Sequence, residues 1–195
     1  MLLQAFEFLT IPSTVTSIGS NAFKSTRYVT FEGQVPPTIE SGAFNSNING
    51  SKFFVPMGAI KAYENVENIN TENIYYEAKL SDNKQYFLYD YKDGYGISYF
   101  INTVSIGDSL TIPNTLTLSS ISKPITAIGY NAYRNLNTSS SGASMTIPTT
   151  VELIDSYAFY EDNITNINLD NVKSINDYAF YKTKLAILES DTINK

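Results

Sequence analysis

Five times in this chain an Ile stands four residues before an Ala that is followed at once by an aromatic residue. The copies are Ile18-Gly-Ser-Asn-Ala22-Phe23, Ile39-Glu-Ser-Gly-Ala43-Phe44, Ile128-Gly-Tyr-Asn-Ala132-Tyr133, Ile154-Asp-Ser-Tyr-Ala158-Phe159 and Ile175-Asn-Asp-Tyr-Ala179-Phe180. Phe23 to Phe44 and Phe159 to Phe180 are each 21 residues apart, inside the period range of solenoid repeats. Such a period narrows the fold sharply. One repeat cannot bury its apolar face alone, so the repeats must stack into a continuous core.

A second element precedes several of these copies: Leu9-Thr10-Ile11-Pro12, Leu110-Thr111-Ile112-Pro113 and Met145-Thr146-Ile147-Pro148, with Phe53-Phe54-Val55-Pro56 as a variant and Ile167-Asn168-Leu169 without the Pro. Apolar, polar, apolar is a short strand with two side chains turned inward, and Pro ends it by denying the ladder a donor. Val15 and Ile18, Val151 and Ile154, and Val172 and Ile175 follow at spacing three. Each coil therefore reads as strand, turn, second apolar segment and tight corner, where Ala lets the chain bend closely and the aromatic ring fills the interior.

These residues resemble the BspA-like leucine-rich-repeat family, whose repeats carry an Ile-Pro strand end, a Val-x-x-Ile segment and an Ala-Phe corner. The resemblance covers residues 6–72 and 103–190. Where repeats of that family often place Cys a few residues after Ala-Phe, this chain has Thr26 and Thr183. The opening Met-Leu-Leu-Gln-Ala-Phe-Glu-Phe-Leu lacks a basic lead and carries Glu7, so it reads as a start inside a repeat, and the chain as a piece of something longer.

Tyr133 stands 89 residues after Phe44, with no Ala-Phe corner between them. Pro56 suits a first helical turn, and Ile60, Tyr63 and Val66 recur on one face; the segment is similar to the helix that caps such arrays. Seven of the 15 Tyr then fall between Tyr75 and Tyr99. Alternating apolar residues on either side of Asp93-Gly94 predict an antiparallel hairpin with a type I′ turn, covering the edge of a second array. The long interval from Ile112 to Ile128 predicts a smaller hairpin over Thr115–Pro124. The alternative is that the gap hides degenerate repeats. The fold expected is α/β, mostly β: a leucine-rich-repeat solenoid in two short arrays, residues 1–72 and 73–195, joined through a cap helix and a hairpin.

Composition removes much chemistry. The chain has no Cys and no His, which excludes disulfides, Cys nucleophiles, Ser-His-Asp triads and Cys/His zinc sites. With 13 basic against 19 acidic side chains, a net charge of -6, it is not built to neutralise phosphates, and no nucleic-acid partner is expected. No apolar run is long enough to span a membrane. Asp90 to Gly94 lacks the oxygen ligands of a calcium loop, having Lys92 and Phe100 where ligands are needed. Asp155 and Asp177 read as turn residues beside the corners, and Glu161 with Asp162 as an exposed loop pair. No cofactor and no metal are expected, and no catalytic residue is assigned. Three Asn-x-Ser/Thr sequons are what chance supplies in so Asn-, Ser- and Thr-rich a chain.

Stacking places equivalent outward strand residues in columns about 4.8 Å apart. The column reads Thr10, Thr30 and Phe54 in the first array and Thr111, Thr146 and Asn168 in the second. Thr is an ordinary solvent-facing strand residue, but a continuous polar face ending in an aromatic residue is the surface on which repeat proteins hold large ligands. Phe54 is read either as an exposed anchor or as packing beneath the cap helix. The Tyr-rich hairpin is read either as edge packing or as a recognition patch. A partner is expected on the strand column rather than on the corners. The family resemblance implies a surface-exposed or secreted, monomeric, non-enzymatic module that adheres to proteins or glycans of a host or neighbouring cell. A structural spacer and a carboxylate-based carbohydrate-active enzyme are the competing readings.

Overall fold

The computed structural model describes residues 8–47, 50–101, 107, 109–136 and 142–185. The chain divides into two units, Met1–Lys79 and Leu80–Lys195. The first contains β1 (Phe8–Ile11), β2 (Ser17–Ile18), β3 (Tyr28–Phe31), β4 (Thr38–Ile39), β5 (Lys52–Val55), α1 (Ile60–Glu64) and β6 (Ile74–Tyr76). Strands β1, β3, β5 and β6 form one parallel sheet in that order, and β2 with β4 a narrow second one. Val29, Phe53 and Ile74 share one register row and are fully buried, while Thr10, Thr30, Phe54 and Tyr75 share the next row on the opposite face. Pro12 ends β1, and its carbonyl accepts the amide of Val15 at 3.0 Å to turn the chain toward β2.

Pro56 opens a 3-10 turn, Met57–Ala59, that runs into α1. Tyr63 is fully buried, its ring 5.0 Å from that of Phe31 and its hydroxyl donating to the Gly33 carbonyl at 3.0 Å. The helix has only five residues. The chain then returns to add β6 to β5, so Ile74–Tyr76 belong to the first sheet although they lie past residue 72.

The second unit continues with β7 (Lys79–Leu80), which straddles the boundary, and β8 (Tyr86–Tyr91), β9 (Gly94–Phe100), β10 (Ser109–Thr111), β11 (Thr115–Leu118), β12 (Ile121–Ile128), β13 (Ala143–Thr146), β14 (Leu153–Ile154), β15 (Ile164–Ile167) and β16 (Ser174–Ile175). One parallel sheet is β10-β13-β15. The other runs β16-β14-β12-β9-β8-β7, and its β8–β9 pair is the antiparallel hairpin. Because β9 pairs in parallel with β12, the hairpin closes the open side of the coils as expected.

The hairpin turn differs from its reading. Tyr91 pairs with Gly94, so the two turn residues are Lys92 and Asp93, and the positive φ falls on Lys92 at 52°. Gly94 is needed for a different reason. A Cβ there would lie 2.5 Å from the Pro124 carbonyl oxygen and from Thr126, so only glycine lets β9 approach β12 this closely. Tyr86, Tyr89 and Tyr95 are buried and Tyr91 and Tyr99 half-buried, which makes the tyrosine cluster edge packing. The second hairpin, β11–β12, turns at Ser119 and Ser120, with φ of 52° and 66°; the Asp82 carboxylate accepts both turn amides, at 2.9 and 3.0 Å.

Corner rings form the spine of the core. In the second unit Tyr133, Phe159 and Phe180 stack at 5.4 and 5.3 Å, with planes within 17° and 8°. In the first, Phe23 stacks on Phe44 at 5.7 Å. Tyr133 is an exception to the rule that a buried hydroxyl finds a partner. It is 1% exposed between Phe100 and Phe159, and its hydroxyl has no hydrogen-bond partner among the described residues.

Candidate functional site

The outward strand residues do not form the continuous face expected of them. Thr10, Thr111 and Thr146 are exposed and Thr30 half-buried. Asn168 follows β15 and is committed to the frame: its side chain accepts the Ile147 amide at 2.8 Å and donates to the Ile147 carbonyl at 3.0 Å, replacing one rung of backbone pairing. Phe54 is not an exposed anchor. It is fully buried, its ring 6.4 Å from Tyr28 and 5.7 Å from Tyr75. The outward side of the first sheet therefore carries a second aromatic cluster, which also stacks Phe8 on Tyr28 at 5.3 Å. A strand column judged by alternation alone could not reveal this, because burial of that face depends on rings two residues apart on neighbouring strands.

The corners carry the exposed aromatic surface instead. At each of the five, the residue before Ala lies in the left-handed region: Asn21 at φ 59°, Gly42 at 74°, Asn131 at 57°, Tyr157 at 59° and Tyr178 at 59°. The Ala amide then bonds the carbonyl three residues back, and the next amide bonds across coils, as from Phe23 to Ala43, Tyr133 to Ala158 and Phe159 to Ala179 at 2.8–2.9 Å. This tight bend explains the positive φ. Asn and Gly tolerate it, whereas a bulky aromatic residue there is an outlier.

Those two outliers build a surface. Tyr157 stacks on Tyr178 at 5.2 Å and 12°, and Tyr160 on Tyr181 at 5.2 Å and 22°. The columns lean on one another through Tyr157–Tyr160 and Tyr178–Tyr181 at 5.5 and 5.7 Å. Arg134 lies over Tyr160 at 4.2 Å, and Lys182 over Tyr181 at 5.5 Å. Lys182 also pairs with Glu161 at 2.6 Å, which holds the Glu161 carboxyl below its usual range. Tyr178 is 56% and Tyr181 46% exposed. The motif Tyr-Ala-Phe-Tyr, present at 157–160 and 178–181, was the available sequence signal; reading only its inner two residues concealed it.

Several of the acidic residues have structural partners. Asp155 accepts the Ser156 amide and the Asn176 side chain, each at 2.7 Å. Asp90 pairs with Lys123 at 2.6 Å. Glu152 bridges Lys92 and Lys173, both at 2.6 Å, and hydrogen bonds from Lys173 and then Lys92 hold its carboxyl down at about 2. Asp162 is not part of an exposed loop pair. It is fully buried at the corner position that Thr26 and Thr183 occupy in other coils, and it accepts the Leu136 amide at 2.7 Å. Burial pushes its carboxyl up to about 8.

Among the described residues no helix is long and apolar enough to cross a membrane. No curated protein and no solved structure matches the chain. The family described as "BspA type Leucine rich repeat region (6 copies)" matches residues 3–117 and 98–194, which spans both units and the corner motifs of each. The register of the parallel strands, the stacked corner rings and this match agree: the chain belongs to the BspA-type leucine-rich-repeat family.

Proposed function

We propose that this chain is a non-enzymatic binding module of a cell-surface or secreted protein, and that it holds protein or glycan macromolecules on the tyrosine edge of its second unit. Its family is often surface-associated, and repeat proteins use extended faces for large ligands. The observation that carries the reading is the pair Tyr157 and Tyr178, in a backbone conformation that the other three corners give to Asn or Gly. A strained residue of this kind disfavours the fold by roughly 1–3 kcal/mol, and ring stacking returns about 0.5–1.5 kcal/mol per pair. Tyr157 meets the rings of Tyr130, Tyr160 and Tyr178, and Tyr178 also that of Tyr181, so strain and ring contact nearly offset and folding gains little from Tyr over Asn. Tyr178 and Tyr181 stay exposed and Tyr157 half-buried, with Arg134 over Tyr160; Tyr and Arg are enriched where partners bind, since they supply large, partly apolar contacts at low entropic cost.

The test is binding of the labelled chain to immobilised matrix proteins, to a glycan array and to intact cells. Tyr178→Ser with Tyr181→Ser is expected to weaken binding more than about tenfold, while Thr111→Ala with Thr146→Ala leaves it unchanged. Binding that survives the tyrosine changes and falls with the threonine changes would return the site to the strand column. No binding by the native chain to any of these surfaces would favour the spacer role.

A further inference from the structure

We propose that Lys52 and Asn73 become joined by an amide cross-link between adjacent coils of the first unit, formed by the folded chain itself. Each residue stands one position before the Phe53–Ile74 register pair of β5 and β6, so parallel pairing sets the two side chains side by side. The Lys52 Nζ lies 2.6 Å from the Asn73 Oδ1. Asn73 is 1% exposed, and its Nδ2 donates to the Asn47 carbonyl at 2.8 Å, which fixes the orientation of the carboxamide. Tyr28, the register partner of Lys52, and Phe54, two residues on, are buried. Aromatic rings thus line one side of the pair, while Lys52 itself is half-buried.

The reaction requires an uncharged amine held against an amide carbon. Burial, assisted by the positive charge of Arg27, brings the Lys52 amine down to about 8, against the opposing pull of Glu72. At that pH about half of the amine is neutral, compared with less than about 1% of an ordinary lysine. Fixed proximity supplies the remaining advantage. The Nζ lone pair adds to the Asn73 Cγ, the Cγ–Nδ2 bond breaks, and Nδ2 leaves as ammonia. One proton passes from Nζ to the departing nitrogen. Amine and carboxamide give a secondary amide and ammonia, with no oxidant or other reagent. The product ties β5 to the segment entering β6 and closes a loop across the last two strands of the first sheet.

Intact mass spectrometry of the full native chain decides it. The expected mass is lower than that of the sequence by one ammonia, and a digest yields one branched peptide containing both Lys52 and Asn73. Lys52→Arg and Asn73→Ser each restore the full mass. A native chain that keeps its full mass overturns the proposal and leaves Lys52–Asn73 a hydrogen bond. So does an ammonia loss that persists in Lys52→Arg, which would assign it elsewhere, for instance to Asn49-Gly50.

Discussion

The corners of the two units share a backbone and differ in what they present. Asn21 and Gly42 in the first unit, and Tyr157 and Tyr178 in the second, adopt nearly the same left-handed φ. Behind all of them a buried or half-buried Phe stacks on its neighbour. The inward half of the corner is therefore set by the requirement to fill a solenoid, whichever unit it belongs to. The outward half is free of that requirement. In the first unit it holds residues suited to the bend; in the second Asn131 does the same, while Tyr157, half-buried, and Tyr178, exposed, are rings that the bend disfavours. Two copies of one structural solution, one with an addition that folding does not ask for, separate architecture from function better than either copy alone.

The largest expected effect tests the shared half. Phe159→Ala removes a fully buried ring packed between Tyr133 and Phe180 and should lower stability by about 3–5 kcal/mol. Phe44→Ala, which empties a site bounded by Phe23, Phe31 and Phe53, should cost about as much. Denaturant titration measures both. A small loss at only one of the two would mean that the units do not share the same core.

A smaller effect separates the coils at the position four residues after the corner Ala. Asp162 there has its carboxyl raised from an ordinary 3.8 to about 8 by burial. Between those values the folded state binds more protons than the unfolded state, so stability is fully present below about 4 and falls as pH rises toward about 8. Asp162→Asn keeps the acceptor for the Leu136 amide and cannot ionise. Its melting temperature should exceed that of the native chain at mildly alkaline pH and lie close to it in acid. Equal pH profiles would show that Asp162 does not titrate in this range.

Much of the fold was legible because a solenoid writes its core at a fixed period. Ile-Pro, Val-x-x-Ile and Ala-Phe mark residues that must repeat for neighbouring coils to mesh. The first sheet and the stacked corner rings follow from them, and both hairpins from the alternation around Asp93-Gly94 and the long interval from Ile112 to Ile128. What escaped reading depends on contacts without period. Phe54 alternates outward, yet Tyr28 and Tyr75 pack beside it; Gly94 was taken for a turn residue, yet it makes room for β12; Asp162 follows an exposed Glu161, yet its own side chain points into the coil. The tyrosine edge was missed because Tyr beside Ala-Phe is unremarkable in a sequence. It becomes informative only when the φ of its position is known.

The central claim is that Tyr157 and Tyr178 are held for binding and not for folding. Its most direct test is a thermal melt of the Tyr157→Asn, Tyr178→Asn double variant beside the native chain, with binding measured on the same samples. The account predicts a melting temperature close to that of the native chain, because Asn relieves the left-handed strain at two positions while four ring contacts are lost, together with weakened binding. A melting temperature lower by several degrees, with binding retained, would make the tyrosine edge part of the scaffold and contradict the account.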